Sequence, residues 1–168
     1  MTIENPGSNI INIVRRLTKI GGIRMHFIDK DSLYYMFLEI QKLHYNRSLL
    51  LLDEIGVYPG QPHLLFILNK MGGQSQKELA EKLNVKPSTI TIMLKRMEKT
   101  NLVERKQDDK DQRISRVYIT EEGRKICKRS KEILSILEEE CFGNLSLEDK
   151  ENLKRLFLQI RDNLKNNK

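Results

Sequence analysis

The chain of 168 residues is 39% hydrophobic but only 6% aromatic, lacks tryptophan, and carries a net charge of +7. That length holds one domain with a real core, the scarcity of aromatics argues against an all-β sandwich, and the basic balance favours a polyanionic partner. No apolar run approaches the roughly 18 to 20 residues that span a bilayer and no secretory signal is legible, so a cytoplasmic protein is expected.

The basic excess is uneven, with +3 over residues 1–30, −1 over 31–73, +4 over 74–119 and +1 over 120–168. In chain order, Ser8 can cap a first helix with the apolar stripe Ile10, Ile13, Val14, Leu17 and Ile20, stopped by Gly21-Gly22. Asp31 or Ser32 starts a longer helix that runs to Glu54 or Ile55 before Gly56. Pro62 begins another, with Leu64, Leu65, Ile67, Leu68 and Met71 as apolar positions and Gly72-Gly73 as its end.

The next stretch is the most specific. Ser75 and Glu78 have capping-box spacing, and Leu79, Ala80 and Leu83 then share one helical face. Asn84 tolerates the left-handed conformation that ends a helix, and Pro87 suits the first turn of the following one. There Ile90, Met93, Leu94 and Met97 form the inward stripe. At about 100° per residue, Ser88, Ile92, Lys95 and Lys99 lie opposite, flanked by Thr89, Thr91 and Arg96. Hydroxyls and cations on that face suit a helix in the DNA major groove. An ordinary surface helix fits the lysines as well, but not the capped helix before it or the basic hairpin after it. Ile92 reads either as a contact for a thymine methyl or as a single exposed apolar residue.

A hairpin follows, with strands expected at Leu102–Lys106 and Ile114–Ile119 around a polar loop, residues 107–113. Such a wing can carry a cation into the minor groove, and Arg113 is the candidate, with Asp111 placed to orient it. The alternative is an exposed loop whose ion pairs contribute about 0 to 1 kcal/mol. The expected DNA-contacting set is Ser75, Gln76, Lys77, Lys86, Ser88, Thr89, Thr91, Ile92, Lys95, Arg96, Lys99, Arg105, Lys110, Asp111, Arg113 and Arg116. Beyond the hairpin, Thr120 starts a long helix carrying Ile126, Ile133, Leu134 and Leu137. Ser146 and Asp149 cap a last one with Leu153, Leu156, Phe157, Ile160 and Leu164.

Residues 61–124 resemble the MarR family of bacterial transcriptional regulators. The resemblance is carried by Gln61, Ser75-Gln76-Lys77-Glu78-Leu79-Ala80, Ser88-Thr89-Ile90-Thr91, Arg96-Met97-Glu98-Lys99, Leu102-Val103-Glu104-Arg105, Asp111-Gln112-Arg113 and Ile119-Thr120-Glu121-Glu122-Gly123. Three positions depart from the family pattern: Asn101 stands for a usual glycine, Ile92 for a usually polar residue, and Gln112 for a usual arginine. The last two bear on sequence preference or wing affinity.

The expected fold is therefore mainly α with a small β-wing, a winged helix-turn-helix joined to a helical dimerisation region. Residues 1–60 and 120–168 form the dimerisation parts, and 61–119 the DNA-binding domain. The amphipathic end helices need a partner surface, which a symmetric dimer supplies while presenting two readers; the alternative is that they complete a monomeric core. The resemblance further implies release from DNA by a small aromatic or amphipathic molecule. Tyr34, Tyr35, His44, Arg47 and His63 can supply polar groups to such a cleft, or are ordinary boundary residues.

Catalysis finds no support. No phosphate-binding glycine loop or metal-spaced Cys/His cluster occurs, so no cofactor and no metal are expected. Glu138-Glu139-Glu140 reads as a solvated face, and His26, His44 and His63 stand in no nucleophile motif. Cys127 and Cys141, fourteen residues apart on one helix, are separated by about 21 Å of rise, too far for a disulfide, and both are expected to be buried structural residues. Two functions remain, a sequence-specific, ligand-responsive dimeric repressor and an architectural DNA-binding protein without an effector.

Overall fold

The computed structural model of the protein describes residues 29–108 and 111–166. The expected Ser8-capped helix, His26 and the wing residue Lys110 lie outside the described residues. Within them stand six helices and one three-stranded antiparallel sheet. Helix α1, Leu33–Asp53, is capped by the Ser32 hydroxyl, which accepts from the Tyr35 N–H at 3.2 Å. Helix α2, Gln61–Met71, begins with Pro62 in its first turn and buries Leu64, Leu65 and Leu68. Met71, expected on that apolar stripe, is exposed because it sits in the last turn, at the Gly72 cap.

A strand not foreseen comes next. Strand β1, Gln74–Ser75, pairs with one edge of a later strand, residues 115–119, whose other edge takes the first strand of the hairpin. Two residues are too few for an alternating pattern to be read. Helices α3, Gln76–Leu83, and α4, Pro87–Lys99, follow. The hairpin strands are β2, Val103–Gln107, and β3, Ser115–Ile119, in the register Val103↔Ile119 to Gln107↔Ser115. Leu102 falls outside the ladder because its N–H closes the end of α4 on the Met97 carbonyl at 2.8 Å. Asn101, at φ 56°, holds the left-handed corner before it.

Leu64, Leu65, Leu68, Leu79, Ile90, Leu94, Met97 and Val117 are fully buried and form the centre of this core. Each such side chain contributes about 1.5 to 3 kcal/mol. Met93, expected to be fully inward, is half-buried, with its methyl at the Gly60 turn.

Helix α5, Glu121–Phe142, starts where Thr120 accepts from the Gly123 N–H at 3.0 Å and donates to the Asn101 carbonyl at 2.6 Å. A side chain at Gly123 would overlap the Leu102 carbonyl, so glycine lets α5 meet the base of the wing. Helix α6, Leu147–Asn166, is capped by Ser146, which accepts from the Asp149 N–H at 3.1 Å. The chain divides into two compact units, one ending at Ile133 and one beginning at Leu134. In the second unit no residue of α6 is buried, and a groove of about 530 Å³ is lined by Phe142, Leu153, Phe157 and Leu158 among others.

Both cysteines lie on α5 as free thiols. Cys127 is buried, and burial raises its pKa against the opposing pull of Lys131. Cys141 is exposed, against expectation, because it sits in the last turn of α5, one turn beyond Leu137, the last buried residue of that helix. No helix among the described residues is long and apolar enough to cross a membrane.

Candidate nucleic-acid interface

The helix pair is built by local chemistry. The Ser75 hydroxyl accepts from the Glu78 N–H at 3.3 Å, and the Glu78 carboxylate accepts from the Ser75 N–H at 2.7 Å. These bonds, backbone first, hold the Glu78 carboxyl below its ordinary range, with Arg116 adding to the effect. Asn84, at φ 50° and ψ 48°, ends α3 in the left-handed region, and Lys86, two residues on, is the N-cap of α4. A shallow groove of about 650 Å³ follows this crook, lined by Gln76, Lys77, Asn84 and Lys86 among others.

The outward side of α4 carries Ser88, Thr91, Ile92, Lys95, Arg96 and Lys99, all exposed, with Thr89 half-buried beside them. Ile92 is 58% exposed and stands in the middle of this face. The Thr91 hydroxyl donates back to the Pro87 carbonyl at 3.0 Å, which spends its donor within the helix. The Arg96 guanidinium lies 5.5 Å from the centre of the Tyr58 ring, a cation–π contact that draws it toward the segment before α2.

The wing is ordered by aspartates. Asp108 Oδ1 accepts from the Asp111 N–H at 3.0 Å, and the Asp111 carbonyl accepts from the Ile114 N–H at 2.9 Å. Asp111 Oδ1 accepts from both the backbone N–H and Nε of Arg113, at 3.0 and 3.2 Å. The Arg113 side chain is 92% exposed, so it reaches outward while its base is oriented.

Two other wing arginines are paired within the protein, Arg105 at its surface and Arg116 half-buried. Arg105 Nε donates to Glu98 at the end of α4. With the Gln76 amide turned so that its oxygen faces Arg105, that oxygen accepts from Nη1 and Nη2 at 2.7 and 2.6 Å. Arg116 Nε donates to Asp108, and its Nη1 lies 3.4 Å from both the Gly73 carbonyl and Glu78 Oε2. Hydrogen bonding to Asp108 is the main cause of its raised pKa. Thus the expected contacts on α4 are exposed, Thr89 in part, as is Arg113 of the wing, whereas Arg105, Arg116 and Gln76 are engaged by partners within the protein. Glu98, Asp108 and Tyr58 organise the site and were absent from the expected set. Asp108 had a signal: with Lys106 opposite Arg116, it lies diagonally across the hairpin from that arginine. Glu98 and Tyr58 meet their partners through tertiary packing, which sequence spacing does not announce.

The five residues considered for an effector cleft lie on two successive helices. Tyr34, His44 and Arg47 are exposed on α1, Tyr35 is half-buried there, and His63 is exposed on α2, with its ring edge-on to Phe66 at 6.2 Å. None of them lines either groove described above. Among the described residues, no group of three His, Cys, Asp or Glu could hold a metal ion.

The model of the MarR family matches residues 57–115. The HTH-type transcriptional repressor MdtR of Bacillus subtilis is 37% identical over 92 residues, which are 55% of this chain and 57% of that repressor's own length. The HTH-type transcriptional regulator YwoH of the same organism is 35% identical over 111 residues, 64% of this chain and 80% of the relative. Among solved structures, the S. aureus MepR–DNA complex aligns with a TM-score of 0.69 at 22% identity, covering 79% of this chain and 98% of that one. The apo form of MarR from E. coli aligns at 0.64 and 22%, over 77% and 96%.

Proposed function

Because this chain belongs to the MarR family of winged helix-turn-helix proteins, we propose that it is a sequence-specific DNA-binding transcription regulator acting as a homodimeric repressor. The observation that carries the reading is the outward face of α4. It presents Ser88, Thr91, Ile92, Lys95 and Lys99 to solvent beside a wing whose tip holds out Arg113. On this reading α4 enters the major groove, its hydroxyls and Ile92 meet base edges, and its lysines and Arg113 meet phosphate or the minor groove.

Dimerisation is assigned to residues 1–60 and 120–168. Phe157 and Ile160, 48% and 43% exposed on a helix with no buried residue, support a second chain as partner. Two readers then address half-sites about one DNA turn apart. Release by a small amphipathic molecule belongs to the same proposal. Among the described residues, Tyr34, Tyr35, His44, Arg47 and His63 line neither groove, and on this reading a further surface lies across them to complete the cleft. The repressor MdtR supports repression over activation as the output.

The test is a binding-site selection from a random duplex library, followed by titration of the enriched and scrambled duplexes at fixed salt. A ratio of specific to non-specific affinity of about 10³ or more is expected. A ratio near unity would instead favour an architectural DNA-binding protein.

A further inference from the structure

We propose that Asp108, Arg116 and Glu78 form a brace that holds the wing against the start of α3, so that Asp108 and Arg116 are positioning residues for DNA binding and not DNA contacts. The proposal rests on the DNA-binding reading above. Arg116 lies opposite Ser75 in the β1–β3 pairing, beside the peptide where the sheet becomes helix α3. Its Nε is bonded to Asp108 at the mouth of the wing loop, and its Nη1 reaches the Gly73 carbonyl and the carboxylate that caps α3. The Asp108 side chain is 12% exposed and that of Arg116 27%, so the pair is largely withdrawn from solvent and from any docked phosphate. Through its other oxygen Asp108 also caps the Asp111 N–H, and Asp111 orients Arg113. One carboxylate therefore links the reading helix pair to the wing tip.

The consequence is physical. A loop tethered only through its two strands would lose conformational freedom each time it met DNA, and a pre-held loop has already lost it. The shifts of the charged groups agree with the geometry: Arg116 is stabilised as a cation, first by Asp108, and Arg116 contributes to keeping Glu78 ionised.

The sign of one substitution separates this from simple charge effects. Asp108→Asn removes a negative charge from an element that faces DNA, so charge alone predicts tighter binding. The brace predicts binding about tenfold weaker, equivalent to about 1.4 kcal/mol. The probe is the duplex that selection with the unmodified protein returns, followed by fluorescence anisotropy across a salt series. Arg116→Gln should weaken binding similarly with its log–log salt slope unchanged, whereas Arg113→Ala should lose about one unit. The double variant should bind no more weakly than the weaker single one, because both remove the same link. Hydroxyl-radical footprints of Asp108→Asn should lose protection at the wing flanks and keep it under α4, a pattern that general unfolding does not produce. Circular dichroism melts check folding, and if Arg116→Gln does not fold, Asp108→Asn alone decides. Tighter or unchanged binding by Asp108→Asn overturns the brace, as does loss of a unit of slope in Arg116→Gln. Failure of the unmodified protein to bind any duplex overturns the DNA-binding reading and the brace with it.

Discussion

Arg113 projects from the wing with its base held by Asp111. Replacing it with alanine removes a cation without removing a core contact, so folding should be unaffected. DNA affinity should fall and the salt slope should drop by about one unit, measured by titration at several salt concentrations. Glu78 has a different signature. Its carboxyl is held below the ordinary 4.5 by the Ser75 N–H, then the Ser75 hydroxyl, with Arg116 assisting. A lowered pKa stabilises the fold above the unfolded value, and that stabilisation is lost as pH falls through the folded value. Melting temperatures of the parent protein and Glu78→Gln should therefore differ at neutral pH and converge in acid. Gly73 offers a steric test, since a Cβ there would overlap the Tyr118 ring. Gly73→Ala should cost about 1 to 3 kcal/mol in a denaturant melt. Of these residues, Ser75, Glu78, Asp111 and Arg113 were legible in the sequence because their partners lie two or three positions away. The burden on Gly73 was not, since the ring that requires it belongs to β3.

At the level of elements, α3 and α4 were readable because caps and a 3.6-residue period are local signals. Strand β1 escaped notice because two residues form a strand only when β3 offers an edge. Reading by α4 makes a split prediction. Substitutions at Ser88, Thr89 and Ile92 should change the preferred bases by about 1 to 3 kcal/mol where the contact is strong, while Lys99→Ala should weaken all sequences evenly. Thr91 refines this, because its hydroxyl already donates to Pro87. Thr91→Val should shift the preference less than Ser88→Ala, as judged by repeating the selection with each variant. An identical consensus from every variant would remove α4 from the role of reader.

For the whole molecule, the periodicity of the last helix was plain but its destination was not, since an apolar face looks the same whether its own chain or a second one covers it. Phe157 and Ile160 remain about half exposed in a single copy. Changing both to Asp should yield a folded monomer by sedimentation and circular dichroism, with weakened binding to a two-half-site duplex, because each reader would then bind independently. A folded variant that stays a full-strength dimer would locate the interface elsewhere.

The unlike settings of the two thiols give the protein a built-in pair of clocks. Cys141 is exposed and Cys127 is buried with its thiolate disfavoured, so a thiol-specific dye should consume one equivalent quickly and the second at the pace of opening around the core. Because the sequence holds just these two cysteines, a fluorophore can be fixed at the end of α5 without mutagenesis. Its emission then follows events near the last helix, while the slow thiol keeps time for the fold.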